Sequence, residues 1–202
     1  MDAVDTADRI KETAEELRAD VRFRREAAVS IGVLAMLLAI ASLGGANSTK
    51  EMTNSNIQAS DTFAFYQAKN IRQTSYQLAA DDLQTLLATQ PNLPPEARAS
   101  IQQRLERYQA TIARYESEPS TGEGKTELLG KAQTYEARRD HAQKQDPNFD
   151  FSQALFQIAI VLGSVSIVAM ARPLLWLSLG LGGIATLLML NGFFLFLELP
   201  VG

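Results

Sequence analysis

The chain has 202 residues, a formal charge of −4 and no cysteine. Without cysteine there can be no disulfide, thiolate metal site or cysteine nucleophile, and 19 basic residues intermixed with 23 acidic ones form no basic patch for nucleic acid. The 46% hydrophobic content averages two unlike parts, long apolar runs and a segment rich in Gln, Glu, Arg and Ala.

Residues 1–26 precede the first apolar run and read as a cytoplasmic amphipathic helix. Their first half is acidic (Asp2, Asp5, Asp8, Glu12, Glu15, Glu16) and their end basic (Arg22, Arg24, Arg25). Ala7, Ala14, Val21, Ala28, Ala35 and Ser42 recur every seven residues, and Ile10, Leu17, Arg24, Ile31 and Leu38 follow three positions later. A sustained seven-residue repeat implies left-handed packing against a partner helix. Leu17 and the small residues Ala28, Gly32, Ala35, Ala39 and Ser42 are the expected helix-association positions, because small side chains let backbones approach closely in a membrane. The acidic first half speaks against docking on an anionic lipid surface, which attracts basic helices. Self-association or partner binding stands beside a short solvated helix with incidental periodicity.

The first apolar run, transmembrane helix 1 at residues 27–47, follows too long a charged region for a cleavable signal peptide and reads as an uncleaved anchor. Residues 48–150 form a polar insert. Ile57, Ala64, Ile71 and Leu78 are again spaced by seven, and no Pro or Gly occurs from Ala46 to Gln90. Pro91, Pro94 and Pro95 then force a turn and open a second helix, in which Ile101, Leu105, Tyr108, Ile112 and Tyr115 keep four-three spacing. Residues 119–125 read as a loop. A third helical piece carries Leu128, Ala132, Tyr135 and Ala142 on one side and is expected to end at Asp146-Pro147-Asn148, with Asp150 or Ser152 capping the next helix. The insert is thus predicted as a helical hairpin, or slender coiled-coil bundle, with a thin core.

Residues 151–171 and 173–197 are two further runs of about 20 to 25 residues, the length a helix needs to cross hydrocarbon. Arg172-Pro173 between them predicts a tight joint. Arg22, Arg24, Arg25 and Arg172 set the topology: the positive-inside bias puts both clusters in the cytoplasm, so residues 48–150 and the tail 198–202 are periplasmic. Trp176 falls at the inner interface, and Phe149, Phe151, Phe193, Phe194 and Phe196 at the outer one. The predicted fold class is therefore all-α, an integral membrane protein with three transmembrane helices and an extramembrane helical insert between the first two.

Chemistry-bearing constellations are sparse. His141 stands alone, Asp81-Asp82 lacks the ligand spacing of a calcium loop, and Gly122-Glu123-Gly124-Lys125-Thr126 lacks the first glycine and the strand of a phosphate loop. No ionisable residue lies well inside a span, so an ion-coupled transporter has no carrier. Asn191 and Gln157 are the principal intramembrane polar groups, expected to bond between helices, with pore lining as the rival role. No catalytic, cofactor or metal site is expected, and the chain is not expected to be an enzyme.

Ser60-Asp61-Thr62-Phe63-Ala64-Phe65-Tyr66-Gln67-Ala68-Lys69, within residues 58–72, and Phe156-Gln157-Ile158-Ala159-Ile160 with Arg172 and Trp176 resemble a bacterial membrane-protein family catalogued as a domain of unknown function, DUF4337. That resemblance runs from the first span to the third and implies three spans with an external helical hairpin. It brings no catalytic residues, and the His-rich amino end often found in such proteins does not occur in this sequence, so a role tied to that feature is not implied. Asp61, Tyr66, Gln67, Lys69, Asn70 and Arg72 form a candidate contact face, with an ordinary solvated helix face as the equal alternative. The expected role is a non-enzymatic, multi-pass protein of the bacterial inner membrane. It would assemble with itself or with other membrane-complex subunits as an oligomeric scaffold or accessory subunit, with the lipid bilayer as its environment. An oligomeric channel for small solutes is the alternative, and an external ligand sensor the third possibility.

Overall fold

The computed structural model describes residues 3–197, with side chains described for Arg9 and from Lys11 onward. Expectations resting on Asp2, on the side chains of Asp5, Ala7, Asp8 and Ile10, and on the tail 198–202 lie outside the described residues. Four helices and no strand occur among them: α1 (Ala3–Thr89), α2 (Pro95–Glu116), α3 (Lys125–Ala169) and α4 (Arg172–Phe194). The fold is all-α, and α1, α3 and α4 are each long and apolar enough to cross a membrane, as a multi-pass membrane protein requires. Two compact units divide the chain: Met1–Lys50 with His141–Gly202, and Glu51–Asp140.

In the first unit three helices pack around Leu34, Ala41, Phe149, Phe156, Ala159, Ala185 and Met189. The middle partner is α3. One of its edges meets α1, where Ser48 Oγ donates to the Ala142 carbonyl at 2.7 Å, Thr49 Oγ1 to Asp146 at 2.8 Å and Ser42 Oγ to Gln153 at 3.0 Å. Its other edge meets α4, where Ser152 Oγ donates to the Ala185 carbonyl at 2.9 Å and Ser178 Oγ to the Ala159 carbonyl at 2.6 Å. Hydroxyls that satisfy a neighbour's backbone suit helices without water around them. Only 22%, 28% and 22% of the most apolar stretches of α1, α3 and α4 are buried, and Val29, Met36, Leu43, Val161, Val168 and Leu187 point outward. So much exposed apolar surface on every helix needs lipid or protein to cover it.

Phe149 is the principal correction to the expected membrane-edge aromatics. It is 2% exposed, its ring seated where Gly44, Gly45 and Gly192 provide room. Phe151, Phe193, Phe194 and Phe196 do remain exposed. A second correction concerns Pro147, which ends no helix: α3 runs through it from Lys125 to Ala169. Proline removes one backbone donor and crowds the carbonyl four residues earlier. On either side of that carbonyl, side chains supply donors, Ser48 Oγ to Ala142 and Asn148 Nδ2 to Lys144 at 3.0 Å. Ser152 is therefore a mid-helix bridge rather than a cap. The joint is as tight as expected but placed slightly earlier. Here α3 stops at Ala169, Met170 adopts φ 50°, the Ala171 N–H reaches back to the Ser166 carbonyl, and Arg172 opens α4.

The inward residues of α1 in this unit are Ala27, Ile31, Leu34, Leu38, Ala41, Gly45 and Ser48, alternating by four and three. The chain's own inward row also repeats every seven residues, as Ala27, Leu34, Ala41 and Ser48, and the expected association row Ala28, Ala35 and Ser42 lies one position later, exposed. Ile31 and Leu38 of the second expected row are half-buried.

In the second unit the count continues in sequence: Met52, Ser55, Ala59, Thr62, Tyr66, Lys69, Gln73, Tyr76, Ala80, Leu83 and Leu87 are all buried or half-buried. Ile57, Ala64, Ile71 and Leu78, the expected seam, are exposed. The reason is chemical: this unit places amide, ammonium and phenol groups inside, so the most apolar row is not the inward one. In α2 the expected positions Ile101, Leu105, Tyr108, Ile112 and Tyr115 do turn inward, as do Leu128, Ala132 and Tyr135 of α3, while Ala142, also buried, belongs to the first unit. Tyr76 packs edge-on to Tyr108 with centroids 5.3 Å apart, and lies 5.9 Å from Tyr115. Pro95 sits in the first turn of α2, where its missing N–H costs nothing.

Candidate functional site

The densest polar constellation lies in the second unit, where α1 meets the loop joining α2 to α3. Lys69 is 6% exposed. Its Nζ lies 3.5 Å from Glu123 Oε2 and 4.0 Å from Glu118 Oε2, and over the rings of Phe65 and Tyr115 at 5.2 and 5.7 Å. Buried ammonium groups need such compensation. One turn on, Gln73 donates through Nε2 to the Ile112 carbonyl at 3.1 Å and to Glu116 Oε2 at 2.9 Å, while its Oε1 accepts from Lys125 Nζ at 2.8 Å. Lys125 also meets Glu116 at 3.3 Å. The Gln73 amide first, and the Lys125 ammonium next, hold the Glu116 carboxyl below its ordinary value.

The glycine-rich loop is fastened to itself. Glu127 accepts from Ser117 Oγ at 2.6 Å and from the Glu118 N–H at 3.1 Å, and these bonds lower its pKa. Lys131 Nζ donates to the Gly122 carbonyl at 2.7 Å. Gly122 has φ 66°, a conformation glycine adopts freely. Gly124 has no room for a Cβ, which would collide with Glu127 and the backbone at Ser117 and Glu118. Residues that resemble part of a phosphate loop in sequence thus form a self-satisfied turn.

Glu116 and Glu127 both titrate lower folded than their ordinary value of 4.5. Their stabilisation is therefore present above about pH 4.5 and is lost as the pH falls through the lowered folded values. The thermal midpoint of the second unit is expected to fall as the pH drops below about 4.5, and Glu127→Gln to flatten that fall. An unchanged pH profile in the variant would remove Glu127 from this role.

Of the expected contact face, Lys69 belongs to the interior and Tyr66 is half-buried, whereas Asp61, Gln67, Asn70 and Arg72 are exposed. Lys69 is therefore unavailable as a contact residue. Sequence reasoning missed Gln73 as the hub of the cluster, although its position, four residues after Lys69, continues the inward spacing. His141 is exposed, and among the described residues no group of His, Asp and Glu could hold a metal ion.

Asn191 and Gln157 separate in the first unit. Asn191 Nδ2 donates to Asn148 Oδ1 at 2.7 Å and to the Leu197 carbonyl at 2.8 Å, and its Oδ1 accepts from the Leu197 N–H at 2.8 Å. It joins α4 to α3 and closes the turn after α4. Gln157 faces outward from an apolar stretch of α3. Leu17, Ala28, Gly32, Ala35, Ala39 and Ser42 are all exposed, Ser42 with its hydroxyl given to Gln153. Arg22 and Arg172 line one cleft, while Arg24 and Arg25 lie outside it.

A family model described as "Domain of unknown function (DUF4337)" matches residues 23–195. No curated protein and no solved structure matches the chain. The chain belongs to the DUF4337 family.

Proposed function

We propose that this family member is a non-enzymatic, multi-pass protein of a bacterial inner membrane that assembles through its helices. It acts as an oligomeric scaffold or as an accessory subunit of a larger membrane complex. Residues 1–26 are cytoplasmic in this arrangement and 48–150 periplasmic, the latter a helical hairpin with coiled-coil packing. The observation that carries assembly is the exposed row Ile57, Ala64, Ile71 and Leu78, in which Ile71 is 67% and Leu78 62% exposed. Lipid does not cover a segment that stands in water, and a row repeating every seven residues suits a second helix of the same kind. In the spans, exposed Ala28, Gly32, Ala35 and Ala39 leave α1 an outer surface on which another backbone can lie close. The outward Gln157 amide would gain an interhelical partner there.

Because the chain has no cysteine, single-cysteine variants test this cleanly. In native membranes Ala35→Cys and Ile71→Cys are expected to oxidise to disulfide-linked pairs, which require Cα atoms within about 7 Å. Ala41→Cys, buried in the chain's own core, is expected not to. Failure of both exposed positions to cross-link would remove the basis for self-assembly, leaving the accessory-subunit role. The permeation alternative is weakened by Asn191, whose amide is committed to Asn148 and Leu197.

A further inference from the structure

A cleft of about 720 Å³ opens between the α1 segment preceding the apolar run and the start of α4. Its lining includes Arg18 and Arg22 of α1, one turn apart, with Arg172, the first residue of α4. It is lined as well by Leu175, Trp176 and Leu179, which follow along α4 into the span, and by Phe23. Glu26 is the acidic residue of the lining and is engaged by Arg22 at 3.0 Å. Three guanidinium groups against one carboxylate leave an excess of two positive charges. Among the described residues no carboxylate pairs with Arg18 or Arg172.

The amino end of α4 adds to this. It has no side-chain cap and no acidic residue in its first turn, so the partial positive charge of the helix end is unanswered by the chain itself. Its volume falls within the usual range for ligand clefts. The mixed lining is informative: guanidinium groups suit a phosphate, and leucines with an exposed indole, following Arg172 along a membrane-crossing helix, suit an acyl chain.

We propose that this cleft is a binding site for one anionic phospholipid of the surrounding leaflet. The phosphate sits against Arg18, Arg22 and Arg172, and the acyl chain lies along Leu175 and Leu179. This rests on the membrane-spanning arrangement proposed above. The acidic side chains Glu12, Glu15 and Glu16 belong to an earlier part of α1 and do not line the cleft. The site therefore selects a lipid locally, although the amino-terminal helix as a whole does not attract an anionic surface.

Trp176 is the protein's single tryptophan and lines the cleft, so its fluorescence reports occupancy directly. The full chain is reconstituted in vesicles in which either phosphatidylglycerol or phosphatidylcholine carries brominated acyl chains, at equal mole fraction. Brominated phosphatidylglycerol is expected to quench with an apparent association about fivefold or more above that of brominated phosphatidylcholine. Arg172→Gln and Arg18→Gln are expected each to reduce that preference several-fold. Arg24→Gln, which removes the same charge outside the cleft, is expected to preserve it. Equal quenching by the two lipids in the unaltered protein overturns the site, and this comparison requires no variant to fold. An Arg24→Gln loss as large as that of Arg172→Gln also overturns it, by reducing the effect to general surface charge. Relief of quenching by inorganic phosphate would overturn the lipid assignment in favour of a free-anion site. No quenching by either lipid would instead contradict the membrane-spanning arrangement itself.

Discussion

Phe149→Ala is expected to destabilise the first unit more than any other single truncation, by about 3 to 5 kcal/mol. The ring is 2% exposed and lies edge-on to Phe193 at 4.9 Å. A Cβ on Gly44 would lie 2.5 Å from Phe149 Cε1, and one on Gly192 2.9 Å from the same atom. Glycines on α1 and α4 and a large ring on α3 are thus complementary, and this one side chain packs against all three helices. Among helices in lipid, transfer from water contributes little, so the cost is mainly that of lost packing around an unfilled hole. The measurement is unfolding of the purified protein in mixed micelles, followed by helix signal. Gly44→Ala should also destabilise by overpacking, about 1 to 3 kcal/mol. Its cost should shrink when combined with Phe149→Leu, giving a clear coupling between the two sites. Strict additivity would show that ring and glycine do not share one slot.

Ala35→Phe is expected to weaken self-association at least about tenfold, the equivalent of losing about 1.4 kcal/mol of helix packing, while leaving the helix content unchanged. Ala35 is exposed and one residue away from the buried Leu34, so a large side chain there meets a neighbouring molecule before it meets the chain's own core. Gln157→Leu should act in the same direction more weakly, by about 0.6 to 2 kcal/mol, since it removes the exposed amide proposed to bond to a neighbouring helix. Analytical ultracentrifugation in density-matched detergent reads both. A variant that loses helix signal together with association would place Ala35 in the chain's own core.

What was legible in the sequence, and what was not, follows from where apolar groups are used. The three apolar runs were plain because lipid demands continuity, and the α2 seam from Ile101 to Tyr115 was plain because its inward groups are large and apolar. In the second unit the inward register of α1 is hidden in the sequence because Ser55, Ala59, Lys69 and Gln73 line its interior. Hydrophobicity therefore drew attention to Ile57, Ile71 and Leu78, which face away. Lys69 looked like a surface residue because the sequence does not show Glu118, Glu123 and two aromatic rings gathering around it from loop and helix. Pro147 reads as a helix end in the sequence because a proline ordinarily is one, and the side-chain donors around it come in part from Ser48, 94 residues from the Ala142 carbonyl it serves. Seven-residue spacing established that helices pack; deciding which of the seven positions faces inward required the partner helix.

Assembly through helices is tested most directly by the mass of the complex extracted gently from its native membrane and measured in intact form by native mass spectrometry. The expected result is an integer multiple of the 22.1 kDa chain, alone or with foreign subunits at fixed stoichiometry. A lone 22.1 kDa species, persisting across mild detergents and concentrations, would contradict it.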